Sequence, residues 1–150
     1  MAATRVLLIV AHPAIATGLE TLLKLEGDYD IRRLPNFSSF GALGRWRPEV
    51  VLVDGTLLAE SDHVTLGVPA LVLSGNERDG TSLAQRLDDG RGWLRKDATG
   101  PELAAGIRGL LRQEPAPGGG GIGRLGVLTI VLLVIVALLV IGYVVYLAAY

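Results

Sequence analysis

Residues 48–55 read Pro-Glu-Val-Val-Leu-Val-Asp-Gly, and this short stretch decides the fold. Val50–Val53 is continuously apolar rather than alternating, the pattern of a parallel strand buried on both faces. Pro48 introduces the run and Asp54 ends it. Runs of the same kind occur at Arg5–Val10 and Pro69–Ser74, with a weaker strand at Tyr29–Arg33 and a short one at Gly92–Arg95. Helical patterns lie between them. Pro13 opens one with Ile15, Leu19, Leu22 and Leu23 on one face, ending at Gly27. Asn36 caps a short helix carrying Phe37, Phe40 and Leu43. Leu83 and Leu87 mark another, and Thr99 caps a last one with Leu103, Ile107, Leu110 and Leu111. Strands alternating with helices at this spacing predict an α/β fold, a doubly wound parallel five-stranded sheet covered on both faces. Functional groups in such sheets gather at the carboxyl ends of the strands. Those ends carry His12, Asp54, Ser74 and Lys96.

The composition divides the chain. Half of its 150 residues are apolar, yet all the charged residues precede Leu125. The expected organisation is a globular domain over 1–113, a Pro/Gly-rich linker over 114–124 and a transmembrane helix over 125–150. The last stretch has 26 uncharged residues, of which only Gly126, Thr129 and Gly142 fall outside the apolar set. As a helix it would rise about 39 Å, more than the hydrocarbon core requires. Arg108, Arg112 and Arg124 precede it and no charge follows, so the positive-inside rule puts the globular part in the cytoplasm. Tyr143, Tyr146 and Tyr150 would sit at the far interface. With no ionisable residue, the stretch offers no proton path. The expectation is a single-pass C-terminal anchor, in a bacterial inner membrane.

Several classes of function are excluded. A net charge of −1 leaves no basic excess for gripping nucleic acid. The absence of cysteine removes disulfide frameworks and thiol nucleophiles. Val6–Ala11 is too short for a signal-peptide core and reads as a strand. Gly121, Gly123 and Gly126 spell a dinucleotide fingerprint, but a Pro/Gly linker precedes it and no acidic residue comes after.

Four segments then carry a resemblance: Val6–Pro13 (VLLIVAHP), Val51–Gly55 (VLVDG), Pro69–Gly75 (PALVLSG) and Gly92–Leu103 (GWLRKDATGPEL). Together they resemble the receiver domain of two-component response regulators, closest to the subgroup usually followed by a LuxR-type helix-turn-helix. The resemblance covers residues 4 to about 113. It implies a flavodoxin-like, receiver-like sheet in which Asp54 matches the phospho-acceptor. Ser74 matches the hydroxyl that bonds the phosphoryl group, and Lys96 the lysine that pairs with its charge. Trp93 takes the place of the aromatic that reports the switch, on the face receivers use for docking partners.

Two departures alter what the resemblance implies. The family carries two acidic residues just before the His-Pro to hold Mg²⁺, and here those positions are Val10 and Ala11. Phosphoryl transfer is mostly positioning and charge neutralisation, and magnesium needs oxygen ligands. Asp54 is therefore expected to pair with Lys96 instead of accepting phosphate. The 20 residues from Asp54 to Ser74 are also fewer than the family's, which implies a third helix shortened to a loop around Leu57–Leu66.

Other residues read as ordinary surface or packing. His12 and His63, the only histidines, have no cysteine or paired carboxylates beside them, so no zinc site is expected. Asp88 and Asp89 read as a solvated helix end. Arg32, Arg33, Arg45 and Arg47 read as a solvated basic edge rather than a lipid contact. Trp46 and Trp93 are candidate partner anchors, Trp93 the better of the two.

The expected function is a degenerate receiver: a membrane-anchored, non-catalytic, protein-binding adaptor or regulator with a remnant pocket at Asp54, Ser74 and Lys96. Its expected partners are other proteins and the lipid bilayer, with no metal, cofactor, nucleic acid or small-molecule substrate. Two alternatives stay open, an accessory structural subunit of a larger membrane complex and a phosphorylatable regulator using Asp54.

Overall fold

The computed structural model describes residues 2–113; the expected linker at 114–124 and membrane helix at 125–150 lie outside the described residues. Among the described residues no helix is long and apolar enough to cross a membrane. Five parallel strands form one sheet in the order β2-β1-β3-β4-β5. They are β1 (Thr4–Ile9), β2 (Tyr29–Leu34), β3 (Val50–Asp54), β4 (Ala70–Ser74) and β5 (Gly90–Arg95). Helices α1 (Pro13–Glu26), α2 (Gly55–Ala59), α3 (Glu77–Ala84) and α4 (Gly100–Arg112) connect and cover them.

The pleat sorts the apolar runs into two cores. Val6, Leu8, Val50, Leu52, Leu71 and Leu73 face α1 and α4, meeting Leu19, Leu23, Leu103 and Ile107. Leu7, Ile9, Val51, Val53, Ala70 and Val72 face the other way, onto Leu43, Leu58, Ala84 and Leu87. Every residue of β3 and β4 is buried, which is why those runs do not alternate. At about 1.5–3 kcal/mol per buried large aliphatic side chain, these central strands supply much of the stabilisation.

The two faces are covered unequally. Helices of 14 and 13 residues lie on the first face. The second carries α3, the five-residue α2 and a 3-10 segment over Phe37–Leu43. The expected capped helix after Asn36 is therefore present in tighter form. Asn36 Oδ1 accepts the Ser39 amide at 3.0 Å and both serine hydroxyls, and its Ser-Ser and Gly content favours such local bonds over an α-helix. Before α4, the Glu102 carboxylate accepts the Thr99 amide at 2.7 Å and its hydroxyl at 3.0 Å, fixing the start of the helix.

Three sequence expectations are corrected. The stretch after Asp54 is not all loop: α2 begins directly on Asp54, and the chain becomes irregular only beyond Ala59. Leu87 lies beyond α3, which ends at Ala84, and it bridges to Val64. Asp88 is exposed as expected, but it and Asp89 lie in the turn before β5 instead of at a helix end, and both are engaged. The Asp88 carboxylate meets His63 Nε2 and accepts the Thr65 hydroxyl, while Asp89 accepts the Gly67 amide at 3.0 Å. These bonds hold Asp88 below its ordinary carboxyl value. The acids staple the irregular segment to the turn before β5, work that no spacing rule reveals. Gly92 has φ +141°, a backbone that side-chain-bearing residues rarely adopt, where the β4–β5 register shifts by a bulge.

Candidate functional site

Parallel strands end on one edge of the sheet, and that edge collects the candidate residues. Asp54 ends β3, Ser74 ends β4 and Lys96 follows β5 directly. β3 and β5 are not neighbours, since β4 lies between them. The Lys96 amide donates to the Ser74 carbonyl at 2.9 Å, so the ladder itself sets where the lysine leaves the sheet. From there its side chain crosses β4, and Nζ reaches Asp54 Oδ1 at 2.7 Å.

The same Oδ1 accepts the Thr56 amide at 3.1 Å, so Asp54 also caps α2. The Asp54 side chain is 6% exposed and that of Lys96 34%. Burial pushes the Asp54 carboxyl up, but the hydrogen bonds from Lys96 and Thr56 outweigh it and hold the group below its ordinary value. The carboxylate is ionised and its charge is compensated inside the protein.

Around that pair the lining is apolar. Val10, Ile15 and Leu73 enclose it with Asp54 and Lys96, leaving about 10 Å³ of free space. That is room for about one water molecule. Val10 is 3% exposed and packs in the core facing α1, whereas Ala11 is exposed. Magnesium needs several oxygen ligands at close to octahedral geometry. A single carboxylate already held by an ammonium, with valine, isoleucine and leucine methyls around it, does not fit that ion. Among the described residues no group of three or more His, Asp or Glu side chains could hold a metal.

Ser74 is brought to the edge but turned to local work. Its hydroxyl donates to the Asn76 carbonyl at 3.0 Å, shaping the turn into α3, where Asn76 caps the helix through the Asp79 amide at 2.9 Å. A second, larger cleft of about 330 Å³ opens on the far side of Lys96, between α2 and α3, with Thr56, Ser74 and Leu83 in its walls.

Trp93 is half-buried and packs with Leu83 and Val72 on the α3 side of β5. Its indole lies directly over Gly80 of α3, where an added Cβ would come within 2.6 Å of the ring. Glycine at position 80 is what lets this aromatic lie inward. Trp93 also borders a groove of about 370 Å³ between β5 and α4, with Leu94, Ala98 and Ala105.

Two residues that shape the site were not singled out from sequence. Arg86 Nη1 donates to the carbonyls of Leu58, Ala59 and Ser61 at 3.0, 3.2 and 3.1 Å, closing the end of α2. Gly80 is the other. Neither carries a sequence signal, because both act on segments distant along the chain. His12 precedes α1 as an exposed residue without a capping bond, and it lies apart from His63 and its aspartate.

No protein-family model matches the chain, and no curated protein does. Solved structures do. A two-component response regulator from Clostridium difficile superposes with a TM-score of 0.57 at 19% identity, over 73% of this chain and 97% of that one. A signal receiver domain from Bermanella marisrubri gives 0.55 at 20% identity, over 74% and 100%. A CheY-like receiver domain from Methylobacillus flagellatus gives 0.55 at 15%, over 73% and 99%. Likeness at this identity is likeness of fold: the described residues form a five-stranded parallel α/β sheet with flanking helices, folded as CheY-like response-regulator receiver domains are.

Proposed function

We propose that this protein is a degenerate receiver, held at a membrane by residues 125–150, that binds other proteins without being phosphorylated. The single observation that carries the reading is the environment of Asp54. An in-line attack on a phosphoryl donor needs, beside the carboxylate, a metal cation to spread the developing charge. Here the ammonium of Lys96 sits 2.7 Å from Oδ1, and the other lining groups are apolar. Val10 and Ala11 stand where the resemblance asks for the two acids. The groove between β5 and α4 is the surface such an adaptor would offer a partner.

Acetyl phosphate labelling tests this directly. The full chain in mild detergent, with millimolar Mg²⁺, is expected to take up no phosphate, and neither is Asp54→Asn. Uptake by the wild-type chain that requires Mg²⁺ and disappears in Asp54→Asn would refute the reading.

A further inference from the structure

One surface plays no part in the Asp54 pocket. From Ile31 to Pro48 the chain carries four arginines and no acidic residue, interspersed with Phe37, Phe40 and Trp46. Two of these arginines are held in place by groups that do not cancel their charge. The Arg32 guanidinium lies 5.0 Å over the Trp46 ring. Arg47 Nη1 donates to the Gly44 carbonyl at 2.6 Å and the Trp46 carbonyl at 3.3 Å. Of the nearby acids, Glu49 pairs with Arg5 and Glu20 with Arg33 and Lys24, while Asp30 keeps its charge beside this surface and accepts the Trp46 indole N–H at 2.7 Å. Among the described residues, exposed Arg32, Arg45 and Arg47 have no carboxylate within salt-bridge distance.

We propose that Arg32, Arg45 and Arg47, with Trp46, form a docking surface for anionic lipid headgroups. This goes beyond the reading of the basic edge as a solvated face, and it rests on the membrane-anchored reading for the nearness of the bilayer. Unpaired guanidiniums around a half-buried indole match the chemistry of a phosphate-rich interface, where tryptophan settles at headgroup level. The interval between Gln113 and Leu125 is 11 residues, at most about 36–40 Å at full extension, which keeps the domain close to the surface. Basic residues near an anionic leaflet contribute about 1 kcal/mol each, about fivefold per arginine in the docked population.

The test uses the full chain in a Trp93→Phe background, so that emission reports Trp46 alone. It is reconstituted with phosphatidylcholine vesicles, with or without phosphatidylglycerol, and probed with brominated lipid as quencher. Flotation in both lipids is expected, with Trp46 quenched and blue-shifted only when phosphatidylglycerol is present and salt is low. Arg45→Gln with Arg47→Gln should lower that signal more than tenfold, leaving flotation unchanged. Equal Trp46 signals in the two lipids, with flotation intact, would overturn the docking surface alone. Flotation only with phosphatidylglycerol would overturn the anchor and support the surface. Flotation with neither would overturn both.

Discussion

Removing either partner of the Asp54–Lys96 pair should not cost the same. Breaking a buried pair from one side costs about 3–5 kcal/mol, because the charge left behind has lost its compensation. The two side chains differ in how far water can replace the missing partner, 6% exposed for Asp54 against 34% for Lys96. Lys96→Met leaves a carboxylate lined by Val10, Ile15 and Leu73, with the Thr56 amide and hydroxyl as its remaining donors. That variant should lose about 3 kcal/mol, the lower part of the range, since about one water can enter. Asp54→Asn leaves an ammonium that already reaches solvent and an amide oxygen that still accepts from Thr56, so about 1–2 kcal/mol is expected. Asp54→Leu combined with Lys96→Met should recover part of the loss, with a coupling of about 1–3 kcal/mol in the double-mutant cycle.

Urea unfolding of the full chain in mild detergent, followed by tryptophan emission, measures these differences. pH supplies a second axis. The Asp54 carboxyl lies below its ordinary value of 3.8, so its stabilisation is present above pH 3.8 and is lost as pH falls through the lower folded value. In Lys96→Met burial acts without the ammonium and is opposed only by the Thr56 bonds, so the carboxyl rises from its place in the wild-type chain. Protonation then relieves the variant before it reaches the wild-type pocket, and the deficit should narrow as pH falls into the acid range. An Asp54→Asn loss equal to or larger than that of Lys96→Met, or a deficit that widens on acidification, would refute this account of the pocket.

Gly80→Ala should destabilise by about 1–3 kcal/mol, because its methyl group would enter the Trp93 ring, and Trp93→Leu should relieve much of that in the double variant. Near-UV circular dichroism would follow the indole as it moves. Arg86→Ala withdraws one donor group from three carbonyls and should cost about 1.5–3 kcal/mol, with faster amide exchange confined to residues 57–66. Exchange rates unchanged there would mean that α2 closes without it. Asn36→Ala removes the cap on Ser39 and should cost about 1 kcal/mol, read as a lower urea midpoint with an unchanged slope.

The sequence by itself determined the class of the fold and the identity of the central strands. Val6–Val10, Val50–Val53 and Ala70–Leu73 are apolar without alternation and, at four or five residues each, too short for a buried helix, which leaves a strand covered on both faces. Caps and breakers were equally legible at Pro13, Gly27, Asn36 and Thr99, because they act within one turn of their own position. Asp54, Ser74 and Lys96 could be placed on one edge, since parallel strands share a direction. Tertiary structure alone decided what those residues do there. Whether a lysine beyond β5 meets an aspartate on β3 depends on crossing β4 through a lining of apolar side chains. The same holds for Asp88 and Asp89, which sequence reads as a solvated end and the fold uses to hold residues 63–67. Gly80 and Arg86 belong here too, because a glycine under an indole or an arginine over three carbonyls is set by packing between distant segments. Periodicity and capping are local and therefore written in order along the chain; a side chain's partner is settled only when the whole core has closed around it.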